Sequence, residues 1–305
     1  MVSDFANDPE EGRKRIDDEI EFRYRLGYDY IDVCPFVYFG ANFQMSPDSS
    51  LAWISESGSA IRSREDFEKH HWPDPEAIDY AQLEYAAARL PEGMMIIPRI
   101  LGVFENINWL TGLEALSYFL VDDPSLVDEL FEKVGGILLS VTEKLVQIER
   151  VGAFVLGDDL GFYSGTMLSP AHIRHYVFPW HKKIADTVHK RCLPFIFHSC
   201  GNVEEVMDDL IEWVNIDAKH SFQDKILPVE EAVARYGARI AILGGVDTDL
   251  LARGTEEEVR ARVREIIEKC APSGRYAIGT GSNIASYLKV NNYFSMLHEA
   301  HNAET

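Results

Sequence analysis

The chain is short of basic residues: 29 lysines and arginines stand against 50 aspartates and glutamates, a formal net charge of -21. So acidic a surface repels phosphate backbones and anionic lipid, which argues against nucleic-acid and membrane partners. Long apolar runs are missing too, and no stretch approaches the roughly 20 residues of a membrane-spanning helix. The start, Met1-Val-Ser-Asp-Phe, lacks the basic region and apolar segment of a secretory signal. Cysteine is scarce: Cys34, Cys192, Cys200 and Cys270 are far apart, with no framework spacing. That usage fits a reducing compartment, and the expectation is a cytoplasmic protein. What is present is globular. The chain has 305 residues, 46% hydrophobic and 26% charged, enough for a large core.

Short apolar segments alternate with helical ones along most of the chain. Residues 9–26 read as an outer helix, capped by Asp8 and stopped by Gly27. Tyr28–Cys34 is the first strand. Residues 36–64 lack a helical period and read as a long excursion, with a hairpin through Leu51–Ser55 and Ser59–Arg64. A helix over Asp74–Leu90 precedes a strand at Met94–Arg99, a loop at Leu101–Asn108, and helices near Gly112–Val121 and Pro124–Arg150. From Ala153 the alternation becomes regular, with strands at Ala153–Gly157, Pro194–Phe197, Trp213–Asp217, Arg239–Leu243 and Arg275–Ile278. Alternation of this kind predicts βα units and a parallel sheet. Seven strands are countable. The expected fold is therefore an α/β, (β/α)8 TIM-type barrel, incomplete or irregular at its N-terminal side, with residues 1–305 as a single domain.

In such a barrel the active site lies at the C-terminal ends of the strands. The residues that fall there are Cys34, Arg99, Asp158, Asp159, His198, Cys200, Asp217, His220, Asp247 and Ser282. His198 and Cys200, two apart at the end of a buried strand, offer an imidazole nitrogen and a thiolate sulfur, the donors of a zinc site. Alone, the pair reads more readily as a satisfied histidine beside an inert thiol; the convergence of polar groups raises the ligand reading. Strand side chains alternate, so only one of Asp158 and Asp159 points into the mouth; Asp159 is favoured. Arg99 could clamp an anionic substrate or balance these carboxylates. Asn202 can cap the next helix and, with His220, Tyr163 and Tyr287, is a candidate pocket residue. Four histidines, His172, His175, His181 and His189, read as a solvated helix face.

Several stretches together resemble the uroporphyrinogen decarboxylase superfamily. They are Gly102-Val-Phe-Glu105 with Gly112, Leu156-Gly-Asp-Asp-Leu-Gly161, Met167-Leu-Ser-Pro170 with Pro179, and Phe197-His-Ser-Cys-Gly-Asn202. Further downstream are Tyr236-Gly with Leu243-Gly-Gly-Val-Asp247, and Asn291 to Ala300. The likeness covers about residues 95–303 and implies a (β/α)8 barrel. It also implies one of two chemistries. One is metal-free decarboxylation of uroporphyrinogen. The other is methyl transfer between a methoxylated or methylated small molecule or thiol and a corrinoid (cobalamin-type) protein, often with zinc. The decarboxylases' Arg-Gln-Ala-Gly-Arg stretch is not in this sequence, and the chain starts too late to include that part. An octacarboxylate would also sit badly beside so acidic a protein.

The intact His198-x-Cys200 pair resembles the zinc methyltransferase branch. That branch places a second cysteine after the last strand, where this chain has Ser282, a poor zinc ligand. Cys34, Asp159, Asp247 or His220 are the candidate substitutes. The expectation is thus a corrinoid-dependent methyltransferase with zinc on His198 and Cys200, and with Asp159, Arg99 and Asp247 as catalytic candidates. Its partners would be a small methyl donor or acceptor and a separate corrinoid protein. A metal-free decarboxylase and a catalytically silent barrel are the alternatives.

Overall fold

The structure is a computed structural model that describes residues 8–35, 37–40, 43–45, 52–54 and 59–303. The chain packs into two compact units, residues 1–158 with 171–195, and residues 159–170 with 196–305.

In the first unit, helix α1 (Pro9–Arg25) begins where Asp8 accepts the N–H groups of Glu10 and Glu11. Only Gly12 and Ile20 of this helix are buried, as expected of an outer helix. Strand β1 (Tyr30–Val33) pairs in parallel with β4 (Met95–Leu101), Ile31 opposite Ile96, and β4 pairs in parallel with β5 (Phe154–Gly157). Every residue of β5 is buried, as a strand covered on both faces should be. A separate antiparallel hairpin joins β2 (Phe43–Met45) to β3 (Ala52–Ile54). The expected hairpin pairs differently. Its first arm overlaps β3, but residues 59–63 form no strand, and the Ile61 N–H goes instead to the Leu110 carbonyl. The turn between the arms lies outside the described residues. Helices α2 (Arg64–Lys69) and α3 (Ala81–Arg89) follow. The helix expected over Asp74–Leu90 is split, because Asp79 takes the Ala81 N–H and opens a new start there.

Residues 101–108 are not a loop: α4 runs from Val103 to Thr111. Its cap is the Asp158 carboxylate, which accepts the N–H groups of Phe104 and Glu105 at 3.1 and 2.7 Å. A carboxylate at a helix N-terminus satisfies orphan donors and faces the positive end of the dipole. Helices α5 (Leu113–Asp122), α6 (Pro124–Leu145) and α7 (Phe178–His189) complete this unit, α7 being preceded by a π-turn over Ile173–Val177.

The second unit carries the parallel strands β6 (Phe195–His198, from its second residue), β7 (Ala218–His220), β8 (Ala241–Leu243) and β9 (Tyr276–Ala277), each paired with the next. The strand expected over Trp213–Asp217 begins later, because Leu210–Val214 is a π-helical turn ended by left-handed Asn215. Helices α8 (Val229–Tyr236), α9 (Thr248–Arg253), α10 (Glu256–Cys270) and α11 (Val290–Asn302) alternate with these strands. Helix α10 opens with a capping box between Thr255 and Glu258.

Among the described residues seven parallel strands alternate with helices, and the fold class is the TIM-type α/β fold expected from sequence. Among the described residues no helix is long and apolar enough to cross a membrane.

Candidate functional site

Strand β6 is anchored by Phe195 and Phe197, both fully buried. Each buried phenylalanine contributes about 2–3 kcal/mol by leaving water. The pleat then places His198, 4% exposed, at the strand end on the face opposite Phe197. Parallel register sets His198 against His220 and Phe197 against Lys219. Neighbours in register share a face, so the two imidazoles lie side by side. Their ring planes are 26° apart and their centroids 4.9 Å apart, with the Nδ1 atoms separated by 2.7 Å.

After His198 the chain turns through Ser199-Cys200-Gly201-Asn202 against residues 159–162. The Cys200 N–H donates to Asp159 Oδ1 at 2.7 Å, the Leu160 N–H to Ser199 Oγ at 3.0 Å, and the Asn202 N–H to the Phe162 carbonyl at 2.7 Å. The two backbones are so close that a Cβ on Gly201 would lie 2.0 Å from the Gly161 oxygen, and Gly201 has φ +75°. Glycine is required there on both counts. This zipper fixes the Asp159 carboxylate beside Cys200.

The result is one group of three potential metal donors among the described residues: Asp159, His198 and Cys200, whose ligand atoms lie within 4.8 Å of one another. His198 Nε2 is 3.6 Å from Cys200 Sγ and 3.8 Å from Asp159 Oδ1. Burial, and then the Asp159 charge, push the Cys200 thiol up; the Ser282 and Ser221 hydroxyls act in the opposite direction. Ser282 Oγ lies 3.3 Å from the sulfur. Ser221 Oγ is 3.7 Å from it and donates to the Gly281 carbonyl at 3.0 Å. Ser282 therefore meets the sulfur as a hydrogen-bond partner. Nitrogen, sulfur and carboxylate oxygen are the donors zinc uses, and three protein ligands leave a fourth position open, as catalytic sites do. The residues present fit such an ion.

The remaining sequence candidates have other surroundings. Asp247 caps α9, taking the Asp249 N–H at 2.7 Å and the Asp224 N–H at 3.3 Å. Asn202 caps the turn that follows it, through the Glu204 N–H. Tyr163 and Tyr287 are exposed at 68% and 63%. Cys34 belongs to the first unit; burial pushes its thiol up to about 11, against the pull of nearby Arg99. Arg99 is on β4, opposite Val155 of β5.

Two features escaped the sequence reading. His181 is not on a solvated face: it is fully buried, with Nε2 2.7 Å from Asp158 Oδ2. Its helical spacing from buried Ile184, Ala185 and Val188 was the available signal. Lys219 is 3% exposed. Its ammonium donates to the Ser221 carbonyl at 2.8 Å and to those of Ser199 and His220 at 3.4 Å, and sits 4.4 Å over the Phe222 ring. It thereby ties together the loops that follow β6 and β7. A lysine in a three-residue strand has no sequence signal for that role.

The fold is TIM-type α/β, and an imidazole, a thiol and a carboxylate gather after its strands, where barrels of this type carry their active sites. The chain belongs to the uroporphyrinogen decarboxylase (URO-D) family, whose model matches residues 33–303. Members of this group are enzymes, decarboxylases or methyltransferases. A curated uroporphyrinogen decarboxylase from Gloeobacter violaceus is 24% identical over 232 residues, which cover 70% of this chain and 62% of that protein. The match thus spans less than two thirds of that relative's length. Among solved structures, a methyltransferase from Methanosarcina mazei has a TM-score of 0.74 at 14% identity, covering 95% of this chain and 85% of that one. A candidate vitamin-B12-independent methionine synthase from Listeria monocytogenes gives 0.53 at 15% identity, with the same coverages. At such identities these two likenesses are likenesses of fold.

Proposed function

We propose that the chain is a methyltransferase that holds zinc through Asp159, His198 and Cys200. It would move a methyl group between a methoxylated or methylated small molecule, or a thiol, and a corrinoid carried by a separate protein. The observation that carries this is the gathering of the three donors within 4.8 Å, on a loop pair zipped together by backbone hydrogen bonds. The fold shared with a solved methyltransferase supports it. Zinc, when bound, supplies Lewis acidity that lowers the pKa of a bound thiol or polarises a methoxy oxygen.

The chain's own groups divide the remaining work. Asp159 and Cys200 are the two anionic donors that balance a divalent cation, so charge neutrality does not require a thiolate at position 282. Ser282 would donate its hydroxyl hydrogen to the Cys200 sulfur and favour the thiolate. Asp159 retains acceptor capacity beyond the Cys200 N–H, because a carboxylate has about four lone-pair sites. It can therefore orient a substrate proton as well as bind.

Zinc uptake by protein purified under reducing conditions tests this reading. The wild type should bind one equivalent and Cys200→Ser should lose it. Equal uptake by the two would place the metal elsewhere. Metal-free decarboxylation is the second reading, supported by the likeness to the Gloeobacter uroporphyrinogen decarboxylase. It gains ground if removing zinc leaves decarboxylation of a carboxylate substrate intact.

A further inference from the structure

Each of the two ring nitrogens of His220 has a polar neighbour. Nε2 lies 3.2 Å from the Thr280 backbone carbonyl, and Nδ1 lies 2.7 Å from Nδ1 of His198. A carbonyl oxygen can only accept, so Nε2 of His220 carries the hydrogen. In the neutral ring Nδ1 is then an acceptor. Two acceptors cannot share a hydrogen bond, so Nδ1 of His198 must be the donor. That leaves Nε2 of His198 as a lone pair, on the side where Cys200 Sγ and Asp159 Oδ1 lie at 3.6 and 3.8 Å.

The backbone is built to permit this contact. Gly244 has φ +95°, and a Cβ there would lie 2.6 Å from the Thr280 oxygen and 3.2 Å from the His220 ring. Any side chain at that position would crowd both partners. Register supplies the other half, since β6 and β7 pair His198 directly with His220.

We propose that His220 is a positioning residue that fixes the tautomer of His198, presenting its Nε2 as a lone pair to the Asp159–Cys200 cluster. On this account His220 is not a ligand, since both of its nitrogens are engaged elsewhere. The consequence for metal affinity rests on the function proposed above; the tautomer itself does not. Histidine ligands hold their orientation through the hydrogen bond of the other ring nitrogen.

The experiment has two arms. In the first, nitrogen-15 spectra of the histidine rings are recorded on the metal-free protein at about pH 8, above the usual histidine range. His198 should bear its proton on Nδ1 in the wild type, and His220→Leu should release that preference. In the second, zinc affinity is measured by chelator competition and the cobalt(II) spectrum is recorded. His220→Leu should weaken binding on the order of 10–100-fold, the usual effect of losing an outer partner of a ligand. His220→Asn, whose amide oxygen can accept from Nδ1, should recover most of it. The melting temperature of each metal-free variant reports on folding. A wild-type His198 protonated on Nε2 overturns the inference. So does a His220→Leu protein that binds zinc like the wild type while Cys200→Ser has lost it; the metal site then stands without the relay. If Cys200→Ser binds as the wild type does, the metal site falls and the spectra alone decide the tautomer.

Discussion

Asp158 and Asp159 are consecutive carboxylates, each beside a histidine, and they do opposite things. Asp158 is fully buried. It takes two helix N–H groups and the His181 ring, with Nε2 at 2.7 Å. Asp159 is 36% exposed at its side chain, takes one N–H from Cys200, and stands 3.8 Å from His198 Nε2. The first is saturated and structural, whereas the second has capacity left for an ion or a proton. The two neighbouring side chains go separate ways just past the end of β5, one capping a helix in the first unit and the other joining a donor cluster in the second. A pair of acids after a strand therefore says little until their hydrogen bonds are assigned.

The largest effect that sharpens this contrast is on folding. Asp158→Ala strands the Phe104 and Glu105 N–H groups and the buried His181. Breaking a buried, hydrogen-bonded pair by removing one partner costs about 3–5 kcal/mol. Denaturant unfolding should show that loss for Asp158→Ala. Asp159→Ala should shift the midpoint far less while abolishing tight zinc binding. Equal destabilisation by the two would erase the distinction.

The next effect concerns Lys219. Burial pushes its ammonium down to about 8, although Cys200, Glu204 and Asp159 pull the other way. The unfolded chain then holds more protons between about pH 8 and 10.4, so stability from this group rises with pH across that window. The gain is on the order of 3 kcal/mol. It should be visible as a rise in wild-type unfolding free energy, relative to Lys219→Met, between those pH values. Parallel curves would mean that the carbonyl cage holds the charge more tightly than burial opposes it.

How much of this was legible in the sequence depended on how far away the deciding partner lay. Six of the seven parallel strands announced themselves as short apolar runs, because such strands are covered on both faces, whereas β7, Ala218-Lys-His220, is too short and polar to do so. The pair His198 and Cys200 stood out by spacing; alternation said that only one of Asp158 and Asp159 would face the mouth, without deciding which. Helix α4 did not, since its cap lies on the strand end after α6, where no local capping pattern could point to it. The role of His220 depends on the Thr280 carbonyl, and a main-chain oxygen has no sequence signature. His181 was readable from helical spacing and was misread because histidines on a polar helix are usually solvated.

A smaller effect tests Ser282. Zinc must displace the proton of a thiol that burial holds high, so affinity should rise with pH through the folded thiol's range. Ser282→Ala removes one hydroxyl that lowers that pKa, and should move the uptake curve to higher pH. Ser282→Cys offers a second thiolate 3.3 Å from the first in place of the hydroxyl, and should tighten zinc retention during dialysis against a chelator. If neither variant differs from the wild type, Ser282 does not touch the metal environment.

The smallest expected effect concerns Asp247, a third acid after a strand and a test of the same lesson. Its Oδ1 takes the Asp249 N–H and its Oδ2 the Asp224 N–H, so both oxygens already have backbone donors. Helix α9 is only six residues long and its single buried residue is Leu251, so the cap is a large part of what holds its start. Asp247→Ala should cost about 1 kcal/mol, the usual value of an N-cap. Asp247→Asn, which keeps an oxygen acceptor, should cost less. Neither should change zinc affinity or the cobalt spectrum, because the proposed donors are Asp159, His198 and Cys200. A loss of metal in Asp247→Asn, at unchanged melting temperature, would move Asp247 from the company of Asp158 to that of Asp159.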